Sequence, residues 1–432
     1  MNAYKKSSLL IVTLLLFIGV ACNREEEPYL SVSGNKEVVP TDTTIAITIE
    51  SNIDWTLSST ASWCTPQVSQ GHGDAKVQVV ISANDTQGER SATLTLCNSD
   101  ATLNQQIEIT QPRLTPDSTT HYRLPVVFHV LYQKEGNKRQ NILEGHLATL
   151  IDEVNVIYAN CGQNLDLEFV MATHDPNGNL LKEPGVDRHK INVTSINSSH
   201  FMGYGKEPKK YCAYMWDPNR YINIFTYTFE DKGILGISHF PYAIKPHAME
   251  GLSELEHDAP WSELPWPQCV SINNEYIYSH EAYYTITDVV NTLAHELGHF
   301  LGLRHAFSED PETYDRNICI DSDFCDDTPT YNKAAYDKLM QAYLSSGGVD
   351  EQEREILLMR EDCDTGEEFR STNIMDYAYT EANRFSPQQA ERIRYVLEHS
   401  PYIPGPKVRL PEQQALTTKA ARTNHYVLRT FE

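Results

Sequence analysis

Residues 295–305 read HELGHFLGLRH, and this stretch leaves the backbone little choice. The run TITDVVNTLAHELGHFL places Val289, Val290, Leu293, Leu297, Phe300 and Leu301 at helical spacing, with Thr285 and Thr287 as candidate N-caps. On such a helix His295 and His299 lie at i and i+4, stacked on one face, where two imidazoles can hold one metal ion. Glu296, beside the first histidine, is within reach of a water on that ion. Gly302 tolerates positive φ, so the helix can stop there and the chain can turn sharply. The turn can bring His305 to the same metal, giving three protein ligands and an open fourth position, which is the arrangement of a catalytic zinc site. The alternative is a helix merely rich in histidine. A bare HExxH recurs by chance, but the glycine and third histidine at fixed spacing favour the zinc site.

The 432 residues suffice for two or three domains with buried cores, and the net charge of −24 argues against nucleic acid or an anionic membrane surface as partner. The N-terminus, MNAYKKSSLLIVTLLLFIGVAC, has two lysines, a short apolar run and a small residue before Cys22. The run is too short to span a membrane, so residues 1–22 are expected to be a secretory signal peptide. Cys22 resembles the lipidated cysteine of bacterial lipoproteins, although Gly19 stands where leucine is usual. The following NREEEP (an acidic tether over 23–28) resembles the export tag of Bacteroidetes surface lipoproteins, or is an ordinary polar linker. Together these features imply secretion across the inner membrane and an outer-membrane lipoprotein, anchored through Cys22 and exposed at the cell surface. The remaining eight of nine cysteines permit disulfides in an exported chain, with connectivity open.

Residues 29–112 contain short, alternating, β-branched segments (TIAITIES, IDWTLSS, KVQVVISA, RSATLTL, QQIEITQ) separated by turn residues, as in an all-β immunoglobulin-like sandwich. The sequence from NIDWTLSS through SWC and GERSATLTL to EITQ resembles the BACON domain family, which implies either glycan contact or a spacer. Trp55 and Trp63 suit a core as well as a binding surface, so a spacer is favoured. Residues 113–121 read as a linker. YRLPVVFHVLY then opens an α/β (α+β) domain, followed by a helical pattern from Ile142 to Ile157 and strands in LDLEFVMAT, YINIFTYTF and CVSINNEYIY. His129, inside the first strand, is expected to be buried and hydrogen-bonded, since it lacks a spaced partner for metal binding.

HExxHxxGxxH followed by a methionine turn is the signature of metzincin metallopeptidases, and here STNIMDYAY (371–379) supplies that turn. HELGHFLGLRHAF, CIDSDFCDDTP, NIMDY and FSPQQAERIRYVL together are similar to the pappalysin branch, over residues 122–405, leaving 406–432 as a C-terminal tail. The whole resembles Bacteroidetes zinc-dependent metalloproteinase lipoproteins with an N-terminal BACON-like domain. The resemblance implies a zinc endopeptidase acting on extracellular proteins or peptides, with His295, His299 and His305 as ligands. Glu296 would be the general base that activates a zinc-bound water, and Met375 a hydrophobic floor beneath the imidazoles. Tyr377 would stabilise the oxyanion, or be purely structural. It also implies a disulfide between Cys319 and Cys363. Relatives that cleave before basic residues share an acidic residue three positions past the tyrosine. Thr380 stands there, with Glu381 beside it, so arginine specificity does not carry over.

The acidic stretch 308–329 offers oxygen ligands for structural calcium, or is a solvated loop; its spacing is not that of an EF-hand. Asp117 in the linker is a weak candidate for an inhibitory metal contact. The competing function is a surface glycan- or protein-binding lipoprotein whose peptidase fold is inactive. Against it stands the complete set of ligands, base, glycine and methionine turn.

Overall fold

In the computed structural model of the chain, the residues described are 27–41, 43–84, 89–112, 121–203, 210–245, 247–257, 259–280, 287–310, 313–346, 350–407 and, by backbone alone, 427–431. The expected signal peptide with Cys22, most of the 23–28 tether, the linker with Asp117, and most of the tail lie outside the described residues.

The chain divides into two compact units. The first is all-β: β1 (Leu30–Gly34), β2 (Thr43–Ser51), β3 (Asp54–Ser59), β4 (Cys64–Pro66), β5 (Gln70–His72), β6 (Ala75–Ile81), β7 (Arg90–Cys97) and β8 (Asn104–Gln111). They form two four-stranded sheets, ordered β1-β2-β6-β4 and β5-β3-β7-β8. The period-two pattern read from the sequence is the reason: Val77, Val79 and Ile81 point inward while the residues between them do not. Trp55 belongs to this core. It is buried, and its indole N–H donates to the Gly73 carbonyl at 2.8 Å.

The second unit is α/β. Its elements are β9 (Tyr122–Tyr132), α1 (His146–Ala159), β10 (Leu167–Met171), β11 (Val186–Lys190), α2 (Ser198–Phe201), β12 (Ile222–Tyr227), β13 (Ile234–His239), β14 (Tyr242–Ile244), β15 (Ser253–Leu255) and β16 (Val270–Asn273). After these come α3 (Val289–Phe300), α4 (Lys333–Ser345), α5 (Glu351–Leu357), β17 (Met359–Glu361), β18 (Glu368–Arg370), α6 (Pro387–His399) and β19 (Val427–Phe431). The main sheet runs β10-β9-β12-β16-β13-β19, with β11 also paired to β9. Strands β9 to β12 and β16 are parallel, whereas β13 runs antiparallel to both β16 and β19. β9 is buried on both faces, as a central parallel strand must be, which explains its unbroken apolar run.

Two boundaries differ from expectation. α1 begins at His146, because Gly145 adopts φ 83° and Leu143, counted in the helical pattern, is exposed. α3 is capped by Asp288, whose carboxylate accepts the Asn291 N–H at 2.9 Å; Thr287 precedes the cap, and Thr285 lies outside the described residues. Residues 427–431 of the expected tail form the outermost strand of the sheet.

Candidate metal centre

α3 is buried along almost its whole length and packs against β13, β16 and α1. Its end is a paired-bond stop: Gly302 N–H donates to the His299 carbonyl at 2.9 Å and Leu303 N–H to Gly298 at 3.0 Å. Gly302 sits at φ 90°, and a Cβ there would lie 2.7 Å from Val396 Cγ2 of α6. Conformation and packing thus both require glycine where the chain turns toward His305.

The turn brings the three rings together, with centroids 4.5 Å apart for His295 and His299, 4.8 Å for His299 and His305, and 5.4 Å for His295 and His305. Each Nδ1 has a fixed acceptor: the Ile374 carbonyl at 2.8 Å for His295, the Leu303 carbonyl at 2.7 Å for His299, and Glu309 Oε2 at 3.0 Å for His305. Carbonyl oxygens and an ionised carboxylate only accept, so these Nδ1 atoms carry protons and the Nε2 atoms carry lone pairs. All three Nε2 atoms are buried without a hydrogen-bond partner, and the ligand atoms lie within 4.8 Å of one another. Burial also holds the imidazoles neutral, lowering His295 to about 4 and depressing His299 and His305 as well. Three neutral, converging, otherwise orphaned imidazoles fit a divalent metal ion such as zinc.

Glu296 is fully buried between these rings and the sheet. β13 crosses it so closely that a Cβ on Gly236 would fall 2.6 Å from Glu296 Cγ and 2.8 Å from Oε1. Met375 packs beneath α3: a Cβ on Gly298 would lie 2.4 Å from its sulfur. The Met375 carbonyl accepts the Ala306 N–H at 3.1 Å, tying the methionine turn to the segment after His305. The Tyr377 ring lies 4.5 Å from that of His305 and 5.3 Å from His295. Burial raises its phenol well above the ordinary range, against the opposing pull of Arg316, so it remains protonated.

Several supporting residues were not foreseen. Glu309 accepts from His305 and also from Arg316 Nε at 2.6 Å. Asp376 anchors the methionine turn through the hydroxyls of Tyr331 and Ser371, the Tyr377 N–H at 2.7 Å and buried Arg360 at 3.3 Å. Only Glu309, four residues past His305, left a trace in the sequence. Cys319 and Cys363 form a disulfide with Cα atoms 5.6 Å apart. Glu381 is engaged by Arg370 at 2.6 Å, and Thr380 Oγ1 donates to the Asn373 carbonyl at 3.4 Å. In the acidic stretch, Asp310 accepts from Thr313 N at 2.6 Å, Asp323 from Thr328 at 2.6 Å and Asp327 from Gln388 N at 2.9 Å. Among the described residues, the two clusters of potential metal ligands are the three histidines and a group of His129, Asp187 and His189; neither draws on that stretch. His129 is buried and hydrogen-bonded as expected, but β11 supplies the spaced partners that the sequence did not reveal.

Residues 205–398 match the peptidase family described as pregnancy-associated plasma protein-A, and residues 53–112 match BACON, a putative N-terminal binding domain. An extracellular metalloprotease of Arthroderma benhamiae is 25% identical over 284 residues, covering 64% of this chain and 78% of the relative. A xyloglucan-specific endo-beta-1,4-glucanase of Bacteroides ovatus is 30% identical over 101 residues, 22% of this chain and 20% of that enzyme. Mature mirolysin of Tannerella forsythia, solved with a cleaved peptide, aligns with a TM-score of 0.42 at 23% identity, covering 65% of this chain and 92% of that one. The chain is a metallopeptidase, with a pappalysin-family domain matched over residues 205–398 and a BACON domain over residues 53–112.

Proposed function

We propose that the chain is a zinc-dependent endopeptidase that hydrolyses peptide bonds in extracellular proteins, with Glu296 as general base. The observation that carries this is the convergence of three partnerless, buried Nε2 atoms on His295, His299 and His305 beside the Glu296 carboxylate. These histidines would hold the ion, which when bound supplies Lewis acidity to the scissile carbonyl and lowers the pKa of a coordinated water toward ~7. Glu296, buried and adjacent, takes a proton from the attacking water and returns one to the leaving amine. Tyr377, kept protonated by burial, donates to the developing oxyanion. Met375 and Gly302 hold the floor and the turn on which the ligand geometry depends.

The test is mass spectrometry of fragments released from a proteome-derived peptide library by the zinc-loaded protein lacking residues 1–22, with Glu296→Ala alongside. Cleavage by the wild type alone supports the reading. Cleavage by both removes Glu296 from its role.

The proposal places residues 1–22 as a signal peptide, Cys22 as a lipidated anchor after export, 23–28 as tether, 29–112 as a spacer, 113–121 as linker and 122–405 as the peptidase. The extracellular character of the relatives supports export. Cys22→Ala is expected to shift the protein from the membrane fraction to the soluble one. The second reading, a glycan- or protein-binding lipoprotein, draws on the similarity of one region to the Bacteroides glucanase. Trp55, buried in the sandwich core, offers that reading no aromatic platform.

A further inference from the structure

On the other face of the sheet from the three histidines lies a second convergence of ligand atoms. Side chains alternate along β9, so Leu124, Val126, Phe128 and Val130 enter the core shared with α1 and α3, while His129 points to the opposite face. Parallel pairing sets Asp187 of β11 beside His129, and His189 follows on the same face two residues later. Asp187 Oδ2 lies 3.1 Å from His129 Nδ1 and 2.7 Å from His189 Nε2. The ligand atoms of all three residues lie within 4.8 Å of one another.

Asn223 decides where the proton of His129 sits. Its Oδ1 accepts the Trp216 N–H at 2.8 Å, and its Nδ2 donates to the carbonyls of Trp216 and Tyr221 at 3.0 and 3.1 Å. The amide orientation is therefore fixed. The same Oδ1 lies 2.9 Å from His129 Nε2, which must be the protonated nitrogen. In the neutral ring, Nδ1 then aims a lone pair at a carboxylate oxygen, with the His129 side chain 0% exposed. A fully buried lone pair facing a half-buried carboxylate oxygen is unfavourable unless a second proton or a metal ion lies between them.

We propose that His129 Nδ1, Asp187 and His189 Nε2 form a second metal site, for a divalent ion of the zinc class, that pins β11 to β9. Two imidazoles and a carboxylate are a fitting donor set for such an ion. Asn223 does for His129 what an outer hydrogen-bond partner does for a ligating histidine, fixing tautomer and ring orientation. A tetrahedral ion with bonds of ~2.0–2.1 Å separates its ligands by roughly 3.3 Å. The two spacings to Asp187 Oδ2, 3.1 and 2.7 Å, would open toward that value while the two histidine nitrogens, within 4.8 Å of each other, settle to it, and Asp187 and His189, at 24% and 30% exposure, have room to move and leave an entry path.

Metal analysis of the full chain, loaded with zinc and dialysed, is expected to find two equivalents in the wild type. His189→Ala and Asp187→Asn, verified as folded by circular dichroism, are each expected to hold one, a twofold loss. Equal zinc in the wild type and both folded variants overturns the site and leaves His129 and Asp187 as a buried ion pair. If neither variant folds, calorimetric zinc titration of the metal-free wild type decides: two binding events support the site and one overturns it. A chain holding a single ion that is lost with His189→Ala would keep this site and count instead against the three-histidine centre.

Discussion

Tyr377 and Glu309 touch the same histidine but serve different ends, and kinetics can tell them apart. Tyr377 remains a neutral hydroxyl between two of the rings. If Tyr377 has the proposed oxyanion role, Tyr377→Phe is expected to lower kcat about a hundredfold with little change in KM. An unchanged kcat would make the tyrosine structural. Glu309 accepts the Nδ1 proton of His305. Glu309→Ala is therefore expected to weaken metal binding by roughly 10- to 100-fold, read by chelator competition. At this scale the site was legible where it is contiguous: three histidines, a glutamate and a glycine within eleven residues carry their own geometry. Their supports were not. The acceptors for His295 and His299 are backbone carbonyls, which have no residue signature, and the pairing of His129 with Asp187 depends on a strand register 58 residues removed.

Helix ends show how an element sets the geometry of residues outside it. Gly302→Ala places a Cβ in a left-handed conformation and against Val396, so a destabilisation of about 3 kcal/mol is expected, measured by urea unfolding of the metal-free protein. Lys407 links the segment after α6 back to that helix, its Nζ donating to the Leu397 carbonyl at 2.5 Å. Burial lowers this lysine to about 7, against a smaller opposing effect of Glu398. The unfolded chain keeps the proton up to the ordinary lysine value of 10.5, whereas the folded chain releases it near 7, so this group makes stability rise as pH increases between those values. The rise is expected to be about 2 kcal/mol from pH 7 to 9 and absent in Lys407→Met, a difference visible in paired urea titrations. Nine of the nineteen described strands, β9 and β12 among them, and helices α1 and α3 were legible from periodicity, whereas β11, β13, α4 and α6 were not read. The start of α1 was not, because Leu143 continues the apolar spacing although Gly145 breaks the helix. β19 was not either, since a short edge strand is defined by its partner.

Taken as a whole molecule, the chain comprises a sandwich held by alternating aliphatic residues and a sheet-and-helix domain that brings the three histidines together. Composition argued against nucleic acid as a partner but could not foresee how the sheet is finished. β13 carries β16 on one side and residues 427–431 on the other, with Thr430 opposite Gly236, the glycine that makes room for Glu296. The backbone edge nearest the carboxylate is thus already hydrogen-bonded to the same chain. A peptide arriving as an added strand would compete with a tethered rival, whose local concentration is far above that of a dilute substrate. Deleting residues 408–432 is expected to lower KM for peptides several-fold while leaving kcat unchanged, by steady-state kinetics. An unchanged KM would mean that substrate does not use this edge. If the shift is found, turnover on scarce peptides is governed by how often the protein's own terminal strand vacates its place.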